Sequence, residues 1–197
     1  MTRVLAALSV SVDGYITGRD PSTGHGLGDA GMLFDWYFDG DTPSRVFDGF
    51  RLTEASAPIF DAVAGRVGAT LAGRNTYDDS AWASGGTPHP TAPLVVLSHR
   101  PLPAVHDRQT LVTTSIEDAV ATARDLAGGK DVGLMGGGVV TAALTAGLVD
   151  EVLLHQVPIL LGDGRPFFQA LPHHVPLRLI EAVVAPRVTH LHYEVVR

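Results

Sequence analysis

Four short segments carry residue types that could hold an anion or handle a proton. They are Ser11-Val12-Asp13-Gly14-Tyr15, Gly73-Arg74-Asn75-Thr76, Ser98-His99-Arg100 and Gly136-Gly137-Gly138. A guanidinium beside a hydroxyl can grip a phosphate monoester, as at Arg74 with Thr76 and at Ser98 with Arg100. A glycine run that opens a helix leaves bare backbone N–H groups free to approach a pyrophosphate. Each signal is weak by itself. The triplet is not GxGxxG, because Thr141 stands where the last glycine would be, and Gly129-Lys130 is followed by Asp131, which breaks a Walker pattern. No acidic ribose partner stands out on a following strand end, so a simple NAD-type Rossmann reading is poor.

The elements that must position these segments follow from the apolar pattern. Residues 3–10 read as a buried strand, followed by a long glycine-rich stretch over 12–43. Pro43-Ser44 opens a helical stretch to about Ala64, broken near Pro58. Strands follow at 67–72, 94–97, 109–112, 132–135 and 151–157. Helices start at Arg74, at Ser115 as N-cap with Glu117 and Asp118 in the first turn, and after Gly136. The ends, 177–185 and 187–196, read as a hairpin turning at Ala185-Pro186. Strands alternating with helices imply an α/β fold in three layers, a mostly parallel central sheet closed by an antiparallel C-terminal hairpin, over residues 1–197 as one domain. In such a sheet ligands bind beyond the carboxyl ends of the strands. All four segments fall there. Three phosphate-competent turns on one rim favour a dinucleotide with an additional phosphate, hence NADPH over NADH, because the 2′-phosphate needs a cationic partner.

Composition narrows the classes further. The chain has 197 residues, 45% hydrophobic, and no cysteine, which excludes a disulfide scaffold, a thiolate nucleophile and cysteine-based metal sites. Net charge is -7, and Lys130 is the one lysine among 14 basic residues, so no basic run marks a nucleic-acid binder. No apolar stretch reaches the length of a membrane span and no signal peptide is visible, which points to a cytoplasmic protein.

Other constellations have bland and sharp readings. The island Met32-Leu33-Phe34-Asp35-Trp36-Tyr37-Phe38 reads as a short helix on the core or as the wall of a planar-ligand site. Asp78-Asp79 and Asp39-Gly40-Asp41 read as solvated turns. His173-His174 and His190-x-His192 supply too few ligands for a metal. Ser9 and Ser11 lack the G-x-S-x-G elbow of a hydrolase.

In order and spacing these motifs, with Gly147-Leu148-Val149-Asp150-Glu151 and Pro158-Ile159-Leu160-Leu161-Gly162-Asp163-Gly164, resemble the dihydrofolate reductase-like fold. They are most similar to the bacterial reductase domain of riboflavin biosynthesis, in a stand-alone form, over about residues 3–195. The resemblance implies an NADPH-dependent reductase, usually a homodimer. It implies that Arg74 and Thr76 contact cofactor phosphates, that Ser98 and Arg100 hold the 2′-phosphate, and that Gly136, Gly137, Gly138 and Val139 lie along the pyrophosphate. A cis peptide can occur at such a glycine pair. Asp13 would sit where nicotinamide and substrate meet, and Asp35 is the nearest match for the carboxylate that holds a pterin-like ring. Arg19, Arg45, Arg51 and Arg165 could face an anionic substrate, though none lies in a matched motif. The resulting expectation is hydride transfer to a small planar or imine-containing heterocycle, of pteridine or aminopyrimidine type. The rival is a non-catalytic or regulatory NADP-binding protein of the same fold, and neither nucleic acid nor membrane is expected as a partner.

Overall fold

The computed structural model describes residues 2–197. Strand β1 (Val4–Ser11) is followed by a wide loop and a 3-10 helix over Gly31–Phe38. Next come a two-residue pair, β2 (Thr42–Pro43) and β3 (Arg51–Leu52), and helix α1 (Ser56–Arg66). The central repeat follows as β4 (Val67–Gly73), α2 (Arg74–Asp79), β5 (Leu94–Leu97), β6 (Gln109–Val112), α3 (Ile116–Leu126), β7 (Asp131–Met135), α4 (Gly137–Thr145) and β8 (Glu151–Val157). A hairpin of β9 (Leu177–Ala185) and β10 (Val188–Val195) ends the chain.

Eight strands form one sheet in the order β6-β5-β4-β7-β1-β8-β10-β9. The first six are mutually parallel, β10 is antiparallel to β8, and β9 is antiparallel to β10. β1 reads as a continuous apolar run because both its faces are covered. Val4, Ala6 and Val10 pack with Val120 and Ala123 of α3 and Val140 and Ala143 of α4. Leu5 packs on the other face with Ile59 and Val63 of α1. The three layers are therefore helices α3 and α4, the sheet, and α1.

Two local expectations need correction. The helix does not begin at Pro43. Ser44 Oγ accepts the backbone N–H groups of Val46 and Phe47, both at 3.1 Å, and donates to Asp61 Oδ1 at 2.5 Å. Such local side-chain bonds compete with a helix and fold 44–50 into a turn. Nor does Pro58 break α1; it is the third helical residue, where its missing N–H has no intrahelical partner in any case. At the other helix start, Ser115 caps α3 as its type predicts, accepting the Asp118 N–H at 3.1 Å.

The aromatic island divides between both readings. Leu33 and Trp36 are buried in a core with Phe60 and Leu52. Phe34, on the opposite side of the 3-10 turn, is 39% exposed.

Candidate functional site

β7 pairs with β1 only over Val4 to Ala6, whereas β8 follows β1 as far as Ser11. Past Ala6 the edge of β1 facing β7 has no strand partner, and the sheet opens into a slot at its carboxyl rim. A cleft of about 590 Å3 occupies that slot. Its walls come from the ends of β1, β4 and β7, the start of α4, the 12–31 loop and the segment 164–169. This is where a parallel sheet presents ligand sites.

The glycine turn forms one wall. Gly136 has φ +95°, a conformation that L side chains rarely adopt, and a Cβ there would lie 2.3 Å from Thr76 Oγ1. A Cβ on Gly137 would lie 2.3 Å from the carbonyl oxygen of Pro166. Gly138 has nothing nearer to its Cβ position than Gln169 Nε2 at 3.9 Å. The first two glycines therefore serve close packing, and the third leaves backbone open to the cleft. No peptide bond among the described residues is cis; the positive φ of Gly136 makes the turn. Val139 follows on the same wall.

Arg74 and Thr76 also line the cleft. Arg74 is already engaged: Nε donates to Asp78 at 2.7 Å and Nη1 to the Pro101 carbonyl at 2.6 Å. Ser98 and Arg100 stand outside the cleft wall, past the end of β5. The Ser98 hydroxyl is turned on its own loop, accepting the Arg100 N–H at 3.0 Å and donating to the Arg100 carbonyl at 2.8 Å. The Arg100 side chain is 62% exposed.

The two carboxylates expected at the reacting centre do not line the cleft. Asp13 is exposed, outside the cleft wall. It accepts from Ser11 Oγ at 2.6 Å, Gly162 N at 2.7 Å and Leu161 N at 3.1 Å. The Ser11 hydroxyl first, and the backbone donors after it, bring its pKa down to about 2. So placed, Asp13 fastens the 158–164 loop to the end of β1 and holds no proton near neutrality. Asp35 faces solvent on the 3-10 helix, also off the cleft.

The carboxylate that does line the cleft is Asp79, 9% exposed, at the end of α2. The expectation of a solvated turn is corrected here. Asp79 forms an ion pair with Arg165, and its backbone carbonyl accepts the Gly24 N–H at 2.9 Å. Arg165 alone of the four arginines outside the motifs reaches the cleft. It is held there because residues 165–167 run beside 14–16: Ile16 N donates to the Arg165 carbonyl and Phe167 N to the Gly14 carbonyl. The two partners are 86 residues apart in sequence, and no spacing pattern joins them.

Below the cleft, Ser9 accepts the Trp36 indole N–H at 2.9 Å. This bond fixes the 3-10 helix against β1, so that Phe34 stands on the cleft wall with Ile16 and Leu27. No helix among the described residues is long and apolar enough to cross a membrane.

The sequence matches the family model described as the RibD C-terminal domain over residues 2–191. No protein of curated function gives a significant sequence match. Among solved structures, a putative riboflavin biosynthesis protein from Shewanella sp. PV-4 is 26% identical, with TM-score 0.69 and 100% of both chains covered. Dihydrofolate reductase from Enterococcus faecalis, complexed with NADP(H) and RAB-propyl, is 14% identical, with TM-score 0.59 over 98% of this chain and 96% of that one. A diaminohydroxyphosphoribosylaminopyrimidine deaminase/5-amino-6-(5-phosphoribosylamino)uracil reductase from Thermotoga maritima is 12% identical, with TM-score 0.60 over 99% of this chain. This chain spans 57% of that protein. The last two likenesses establish the fold, which is dihydrofolate reductase-like.

Proposed function

The chain belongs to the RibD C-terminal domain family, and we propose that it is an NADPH-dependent reductase of a small planar or imine-containing heterocycle. The observation that carries this reading is the slot between β1 and β7, walled by the glycine turn, Arg74 and Thr76. The residues present fit a dinucleotide. Gly138 leaves open backbone at the start of α4, and Gly136 lets the turn approach Thr76 without a side chain between them. A pyrophosphate would lie along Gly136 to Val139, with Thr76 and Arg74 beside it and Arg100 toward the adenosine end.

When bound, the reduced nicotinamide supplies the hydride. The chain supplies position and exclusion of water. Phe34, Ile16 and Leu27 give the cleft apolar walls at the β1 end. Asp79, paired with Arg165, offers a carboxylate there to accept N–H groups of an amino-substituted ring. In this reading water brings the proton that accompanies hydride addition, and Asp13 and Asp35 do not line the cleft. Pteridine and aminopyrimidine rings match the acceptor and the apolar walls. The Thermotoga maritima protein, named for reduction of such an aminouracil, supports the same substrate type.

The reading also includes a homodimer. β9 pairs only with β10 and exposes Leu179, Ile180 and Val184 along an open sheet edge. A monomeric mass by light scattering at micromolar concentration rejects the dimer.

The decisive experiment is cofactor binding. NADPH at millimolar concentration should quench protein fluorescence and raise the melting temperature; the absence of both changes would end the reductase reading. Oxidation of bound NADPH by any member of a panel of pteridines and aminopyrimidines would exclude an inert regulatory protein.

A further inference from the structure

Arg74, beside the proposed pyrophosphate path, and Arg100, toward the adenosine end, share one carboxylate. Arg74 Nε lies 2.7 Å from Asp78 Oδ1, and Arg100 Nη2 lies 3.7 Å from Asp78 Oδ2. Arg100 Nη2 also donates to Asn75 Oδ1 at 3.3 Å. Ser98, the hydroxyl expected to assist Arg100, is closed on its own turn. Asp79, the adjacent acid, is turned away to Arg165. A phosphate reaching Arg100 therefore meets one exposed guanidinium with a fixed negative charge behind it.

We propose that Asp78 is the residue that sets dinucleotide preference, by holding Arg100 partly neutralised and so weakening its grip on a 2′-phosphate. This inference rests on the dinucleotide reading of the cleft. A 2′-phosphate carries close to two negative charges and depends on that guanidinium far more than a ribose hydroxyl does. Asp78 thus works against NADPH and leaves NADH little affected. The protein binds both, with a narrower preference for NADPH than its arginines alone would give.

The test uses NADP+ and NAD+ as probes, with dissociation constants measured by titration calorimetry on the intact protein at low and moderate salt. Asp78→Asn keeps the shape and removes the charge. It should raise the ratio of NADP+ to NAD+ affinity about fivefold at low salt, less at moderate salt, because screening weakens exposed charges. Arg100→Gln should bring the ratio close to one, and adding Asp78→Asn to it should change the ratio little. If Asp78→Asn folds poorly, Asp78→Ser takes its place under the same criteria. A ratio unchanged within twofold in Asp78→Asn overturns the proposal. So does an equal rise in the Arg100→Gln background, since Asp78 would then act through another group. Failure of the wild-type protein to bind either dinucleotide overturns the cofactor reading itself, a result distinct from binding both without an Asp78 effect.

Discussion

The imidazoles of His155 and His190 meet Nδ1 to Nδ1 at 2.7 Å, inside the protein and beneath Trp36. One nitrogen must donate and the other accept, so the pair is built for neutral rings. His190 Nε2 continues the chain to Ser56 Oγ at 2.9 Å, joining β8 and β10 to the start of α1. Burial pushes the His190 pKa down to about 4, and burial together with the neighbouring His190 and His192 pushes His155 well down.

The pair makes stability depend on pH. In the unfolded chain these histidines take up protons near pH 6.5, and in the folded one only at lower pH. Their contribution is complete above 6.5 and is lost as pH falls through the folded value. The urea midpoint should therefore drop between pH 7 and 4. His190→Gln should lower the midpoint at pH 7 and flatten that slope. A slope unchanged in the variant would assign the pH dependence elsewhere.

Glu151 should be a stability residue on the rim opposite the cleft. Its carboxylate, 2% exposed, receives His192 Nε2 at 3.0 Å, two bonds from Arg66 at 3.1 Å, and Arg3. The His192 bond first, then the arginines, hold it well below the usual carboxylate range against the opposing effect of burial. Glu151→Gln should cost about 2–3 kcal/mol, less than a fully buried pair because both arginines reach water. The stabilisation is present above the unfolded value near pH 4.5 and disappears in acid, so the variant should show a shallower acid-unfolding curve. Chemical denaturation at pH 7 and pH 3 checks both points.

Asp13→Ala separates a fastening role from a proton-transfer role. Loss of the bonds to Leu161 and Gly162 should loosen the 158–164 loop. The expected result is a lower melting temperature and faster proteolysis within that loop, with NADPH affinity little changed. A variant of unaltered stability that fails only in turnover would restore Asp13 to the chemistry.

Neighbouring glycines should behave oppositely. Gly137→Ala would drive a methyl group against the Pro166 and Phe167 carbonyls, at 2.3 and 2.9 Å, and should destabilise the fold by about 2 kcal/mol. Gly138→Ala meets nothing closer than 3.9 Å and sits at a helical position, so the melting temperature should hold or rise. Its methyl group would stand where a pyrophosphate approaches, so dinucleotide affinity should fall about tenfold. Equal affinity in wild type and Gly138→Ala would remove the pyrophosphate from this turn.

The strands and most helices were legible because apolar runs of strand length are separated by turn residues, and because Ser115 and the Gly136 triplet mark helix starts by local chemistry. The alternation of elements implied one parallel rim, and the ends of β1, β4, β5 and β7 do lie on it. The segment 43–55 was not legible, since the Ser44 bonds that stop a helix include one to Asp61, which only the folded chain brings near.

What the sequence determined by itself is therefore periodic or local: the α/β class, the strand order of events along the chain, and the glycine, Arg74 and Thr76 turns at strand ends. What only the tertiary structure decided is how side chains distant in sequence share charge. It set Asp78 beside Arg100, spent Asp13 on Leu161 and Gly162, and brought Asp79 to Arg165 in the cleft. Residue type says that a carboxylate or guanidinium is present. Its chemistry depends on its neighbours and its burial, and these exist only once the chain has folded.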